Sequence, residues 1–153
     1  MVAEDYVSYE IAKLLKEKGF DWECFQYWYE EGNKLIHSQS IYPIQNISNP
    51  SFFGPAAPTL QSARKWLKEK YNILLVVDYE YECDTTPYFF KIYRLGKYGK
   101  PERVAIKGVS YDKDNNATEH IVGYRDWERS KGDYSTYERA ANAAIKYCLE
   151  NLI

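Results

Sequence analysis

The sequence predicts an α+β fold: one domain, with three helices packed on one face of a mainly antiparallel sheet. The expected order is α-β-β, a long loop, α-β-β-β-β, α. Three observations lead there. Apolar residues recur at helical spacing in three stretches. Shorter runs rich in tyrosine, valine and isoleucine alternate as strands do, and turn signals separate them. The stretch from Thr59 to Tyr81 runs from a helix into a strand almost without a loop, and the rest of the chain is organised around it. A length of 153 residues fits one domain with a proper core.

The first helix is expected from Ser8 to Lys18. Ser8 is a good cap, Val7, Ile11, Leu14 and Leu15 follow the helical stripe, and Gly19 ends it. Trp22 to Glu30 alternates as a strand, with Phe25, Tyr27 and Tyr29 on one face and Trp22, Cys24, Gln26 and Trp28 on the other. Glu31, Gly32 and Asn33 form a turn, and Lys34 to Ser38 returns. Residues 39–58 hold Pro43, Pro50, Pro55 and Pro58 and are expected as a long irregular loop. Loops of that length are often functional. Its apolar residues, among them Ile41, Tyr42, Phe52 and Phe53, would pin it to the body or to a partner.

Thr59 caps the second helix, whose apolar stripe is Leu60, Ala63, Trp66, Leu67 and Tyr71. Asn72 is expected as a left-handed terminator. The run from Ile73 to Val77 looks like a central strand, with alternation beyond it. Tyr88 to Leu95 comes back antiparallel. If Glu82 pairs with Tyr88, then Val77, Tyr79, Phe89 and Tyr93 share a face. Residues 96–101 form a polar turn, and 103–111 and 120–124 are two further strands. The last helix runs from about Ser135 to Leu152, with Ser135 and Glu138 as a capping box and Tyr137, Ala141, Ala144, Ile145, Cys148 and Leu152 as its buried stripe.

Three stretches carry a resemblance: YEIAKLLKEKGFDWECFQYWYEEGNKL, APTLQSARKWLKEKYNI and TYERAANAAIKYCLENLI. There the sequence resembles a family of small proteins, of no established activity, carried by phages and integrated elements of gut Bacteroidetes. The resemblance covers about half the chain and leaves out Gly96 to Lys131. It implies an accessory gene product of mobile DNA, and no functional residues come with it.

Composition narrows the function. Twenty basic against 22 acidic residues give no broad field to attract extended nucleic acid or anionic lipid. No apolar run approaches a membrane span, and the first residues lack a signal-peptide pattern, so a cytoplasmic protein is expected, and the resemblance implies that the cytoplasm is that of a bacterial host. Cys24, Cys83 and Cys148 are odd in number and far apart, which fits a reducing compartment. The sequons at Asn46 and Asn116 are then chance matches. With His37 and His120 as the only histidines, neither a metal site nor a cofactor is expected.

Four constellations remain. Asp78, Glu80, Glu82 and Asp84 form an acidic row that would suit a divalent ion or acid-base chemistry, or a solvated strand face with Arg94 near Asp78. The turn at 96–101 has two glycines and two lysines but lacks the spacing of a phosphate loop. Arg94, Tyr98, Lys107, Tyr124, Arg125 and Trp127 mix cations with rings, as small nucleotide pockets do. Tyr27, Trp28, Tyr29, Phe52 and Phe53 are an aromatic set in excess of what three helices can cover. An uncovered apolar face marks an interface, here with a protein partner or a second copy in a homodimer, unless the long loop closes over it. A non-enzymatic accessory protein that binds a protein partner is the leading expectation. A nucleotide-type binder is the alternative, ahead of an enzyme using the acidic row.

Overall fold

The computed structural model describes residues 5–47, 53–79, 87–104, 106–111, 114, 117–122 and 134–153, the strands at 106–111 and 117–122 by their backbone alone. The fold is α+β and the elements follow the expected order. They are α1 (Tyr9–Glu17), β1 (Cys24–Glu31), β2 (Lys34–Ile44), α2 (Leu60–Tyr71), β3 (Ile73–Tyr79), β4 (Tyr88–Leu95), a short β5 (Pro101–Arg103), β6 (Ile106–Tyr111), β7 (Ala117–Val122) and α3 (Tyr137–Asn151). Every pairing between these strands is antiparallel. Among the described residues they form three small sheets, β1-β2, β3-β4-β5 and β6-β7, and not one. The chain divides into two compact units, Met1–Trp66 with Ile145–Ile153, and Leu67–Ala144.

In the first unit, the Ser8 hydroxyl accepts from the Ile11 amide at 3.3 Å and starts α1. Gly19, at φ 86°, ends it. The Gly19 amide donates to the Lys16 carbonyl and the Phe20 amide to that of Leu15, which satisfies two of the helix's last carbonyls. Thr59 caps α2 by accepting from the Ser62 amide at 3.1 Å. Val7, Ile11, Leu15, Phe20, Leu60 and Trp66 are buried here, with Ile145, Cys148 and Leu149 from the end of α3. Trp66 is 1% exposed, as its place on the stripe predicts. Its ring meets that of Phe20 edge-on, 5.4 Å between centroids.

The expected loop at 39–58 is shorter than the prolines imply, because β2 continues to Ile44. The register steps from Gln26↔Gln39 to Cys24↔Ile44, so residues 40–43 bulge opposite Phe25. A bulge residue needs no ladder donor, and this is where Pro43 fits. The Ser40 hydroxyl accepts from the Tyr42 amide at 3.2 Å and shapes the bulge. At the other end, Gly32 with φ 65° makes the two-residue turn between Glu31 and Lys34.

In the second unit, Asn72 takes the left-handed conformation (φ 57°) that turns α2 into β3. β4 is the middle strand of its described sheet, in place of β3. The hairpin register also differs from the expected one. Tyr79 faces Tyr88, Val77 faces Phe90 and Leu75 faces Ile92. That is an odd slip, which moves Phe89 and Tyr93 to the face opposite Val77 and Tyr79. The observed register lets buried Leu75 sit beside buried Ile92. Arg94 consequently lies opposite Ile73, and it is Lys91 whose ammonium stands 4.0 Å from the Asp78 carboxylate. At α3 the cap is Thr136 rather than Ser135: its hydroxyl accepts from the Arg139 amide at 3.2 Å, while Ser135 accepts from the Arg139 guanidinium. No helix among the described residues is long and apolar enough to cross a membrane.

Candidate functional site

The aromatic set on β1 is where the structure gathers expected site residues. The cross-strand pair Trp28 and His37 stack at 4.8 Å and 29°. The Trp28 indole N–H donates to the Val7 carbonyl at 3.2 Å, and the Tyr9 ring meets Trp28 edge-on at 6.2 Å. Desolvation holds the His37 imidazole below its ordinary pKa. On the other face, Tyr27 lies 5.6 Å from Tyr29 and 4.5 Å from Phe53. Phe52 lies outside the described residues.

Phe53 reaches Tyr27 because residues 53–57 fold back along the free edge of β1. The Ala57 amide donates to the Gln26 carbonyl at 2.8 Å and the Trp28 amide to the Pro55 carbonyl at 3.1 Å, around an antiparallel bridge between Tyr27 and Ala56. The return bond from residue 55 to Trp28 cannot form, since proline has no N–H. Among the described residues the short ladder stops there, and Gly54 crosses over the Trp28 carbonyl. A Cβ on Gly54 would stand 1.7 Å from that oxygen, so only glycine fits. Asn46 clasps the returning segment: its Nδ2 donates to the Phe20 carbonyl and its Oδ1 accepts from the Ala56 amide, both at 2.9 Å.

Where the ladder stops, a cleft of about 440 Å³ opens, lined by Tyr9, Trp28, Tyr29, Glu30, Phe53, Gly54 and Pro55. Among the described residues its lining carries one carboxylate, Glu30, and no basic residue. The nearby Lys13 ammonium lies 5.4 Å from the Tyr9 ring centroid. Backbone polar groups of Gln26 and Trp28 point to this edge of β1. By the two-residue period of a strand, those of Glu30 point the same way, past the end of the returning segment.

The other expected sites are less assembled. Of the cation and ring set, Tyr124, Arg125 and Trp127 lie outside the described residues, and Lys107 is placed by its backbone in β6. Arg94 sits in register with Ile73 and Glu102. Tyr98 is 95% exposed, in a left-handed turn conformation (φ 70°). Of the acidic row, Asp78 is exposed at the end of β3, and Glu80, Glu82 and Asp84 lie outside the described residues. Among the described residues no group of three histidine, cysteine or carboxylate side chains is placed to hold a metal ion. Cys24 and Cys148 are buried and unbridged, and burial pushes the Cys24 thiol up to about 11, the opposite of what a nucleophile needs. Cys83 lies outside the described residues. Glu30, Gly54 and Pro55 were not singled out by the sequence. The one signal for the last two was the position of Gly54 between Phe53 and Pro55 in an apolar-studded loop.

No family model matches the chain, and neither the curated proteins nor the solved structures include a match to it.

Proposed function

We propose that the chain is a non-enzymatic binding protein that takes a protein partner in the cleft beside β1. The observation that carries this is the coincidence of aromatic side chains at one cleft with a strand edge that no described residue pairs beyond Trp28. Tyrosine, tryptophan and phenylalanine supply contact area at low conformational cost, and they dominate protein interfaces. The resemblance to phage and mobile-element proteins adds the setting: an accessory product acting in the cytoplasm of a bacterial host. A nucleotide-type ligand is less well served, because Glu30, the one charged lining residue among those described, repels phosphate. Panning a library of displayed peptides against the protein and against its Tyr29→Ser variant tests the reading. Sequences that need Tyr29 support it. A library that yields none, together with a thermal shift from a nucleotide, would transfer the site to the alternative.

A homodimer has its own observation. In the β2 bulge Ile41 and Tyr42 are 85% and 71% exposed, and Phe25 opposite them is 53% exposed. A second copy covering this bulge would remove that surface from water. Light scattering after size exclusion tests it, and a mass near 18 kDa at all concentrations rejects it.

A further inference from the structure

We infer that the occupant of the cleft is an extended peptide segment carrying a lysine or arginine, added as a strand along β1 at Glu30. This rests on the protein-partner reading and specifies its chemistry. Residues 55–57 already show that this edge of β1 accepts a third strand, through the bonds at 3.1 and 2.8 Å. Pro55 ends that strand for want of an N–H, and among the described residues nothing pairs with the edge from Glu30 onward. An incoming chain meets a donor and an acceptor with the geometry of a sheet, which is one recurring way to recognise an extended peptide. Side chains of an added strand alternate across the sheet, so one of them is delivered to the cleft while its neighbours point away.

The lining selects the charge of that side chain. Glu30 is exposed, and no ion pair to it is formed among the described residues. Tyr9 and Trp28 place rings on the face of β1 that Glu30 shares, and Tyr29 and Phe53 line the cleft from the other face. Rings attract a cation through their electron-rich faces, as the Lys13 ammonium 5.4 Å from the Tyr9 ring centroid illustrates. A carboxylate or phosphate on the ligand would face Glu30 and gain nothing from the rings.

The test uses the isotope-labelled full chain and four acetylated, amidated five-residue peptides of alternating threonine and valine. The central residue is lysine in the first, norleucine in the second and glutamate in the third; the fourth is the lysine peptide methylated on its central amide nitrogens. Amide shifts are followed at Trp28, Tyr29 and Glu30. The lysine peptide is expected to bind about 5- to 10-fold more tightly than the norleucine one, a ratio in the range of a partly desolvated cation-ring contact. The glutamate peptide should bind most weakly. The Glu30→Gln variant, whose folding the same spectra verify, should lose most of the preference for lysine. The methylated peptide should bind least of the lysine pair, since it cannot complete the ladder. Equal affinity for lysine and norleucine would overturn the cationic ligand and leave a peptide site standing. Equal affinity for the methylated peptide would overturn strand addition. Absence of shifts at these three residues with every peptide would remove both the inference and the peptide reading beneath it.

Discussion

Replacing Gly54 by alanine tests the architecture of the cleft. The added Cβ would sit 1.7 Å from the Trp28 carbonyl oxygen and 2.7 Å from its carbon. Both are backbone atoms, so no flexible side chain can give way. Relieving the clash needs a separation of more than an ångström between the returning segment and β1. The bond from the Trp28 amide to the Pro55 carbonyl is already 3.1 Å long and would break. Overpacking of this kind costs about 1–3 kcal/mol. Loss of one backbone bond adds about 1 kcal/mol. The expected destabilisation is therefore about 2–4 kcal/mol, unless the segment detaches locally and spares the rest. Urea unfolding followed by far-ultraviolet circular dichroism measures the first outcome, and hydrogen exchange at the Trp28 and Ala57 amides detects the second. The cost is steric and does not arise from a left-handed backbone, so Gly54→Ser should behave the same. Unchanged urea midpoints together with unchanged protection of both amides would refute the reasoning.

Further outcomes follow from other residues. Trp66→Ala should destabilise by about 3–5 kcal/mol in the same urea experiment, because the ring is fully buried against Phe20. Asn46→Ala removes both halves of the clasp and leaves the buried Ala56 amide without its acceptor, at a cost of about 1–3 kcal/mol; a loss under half of that would mean another group takes over. The His37 imidazole should titrate below 6.5 by nuclear magnetic resonance, since burial disfavours its charged form. Its folded pKa is depressed, so its contribution to stability is complete above 6.5 and declines as the pH falls through that value toward the folded one. A titration above 6.5 would mean that the stacked Trp28 ring favours the imidazolium. Cys24, with its pKa raised from 9.0 to about 11, should resist iodoacetamide at pH 8 in the folded protein and react once unfolded, and stability should fall as the pH rises from about 9 toward 11.

Local chemistry was legible in the sequence, and distant pairing was not. Ser8, Thr59, Gly19 and Asn72 announce helix ends because a cap is decided within a few residues. The stripe through Trp66 was equally plain, for the same reason. The register of β3 on β4 depends on a connection of unspecified length, and an odd slip reverses the faces. Pro43 reads as a strand breaker, yet a bulge opposite Phe25 absorbs it. Pairing of Pro55 to Ala57 with β1 joins residues about thirty apart, and no propensity encodes it. The cleft inherits that difficulty: Trp28, Tyr29 and Phe53 were visible as an aromatic excess, whereas Glu30 and Gly54 acquire meaning only once the segment returns.

The Asn46 clasp bears on how the protein is produced. Asn46 belongs to an Asn-Ile-Ser sequon, and its carboxamide nitrogen is the atom that would carry a sugar. In the folded chain that nitrogen is bonded to the Phe20 carbonyl, so a glycan attached during secretion would have to be accommodated inside the knot that closes the segment. Secretory expression in a host that glycosylates this sequon would therefore crowd the clasp that holds the segment at 53–57 on β1. Removing the sequon through Ser48→Ala keeps the clasp, and the customary Asn46→Gln does not.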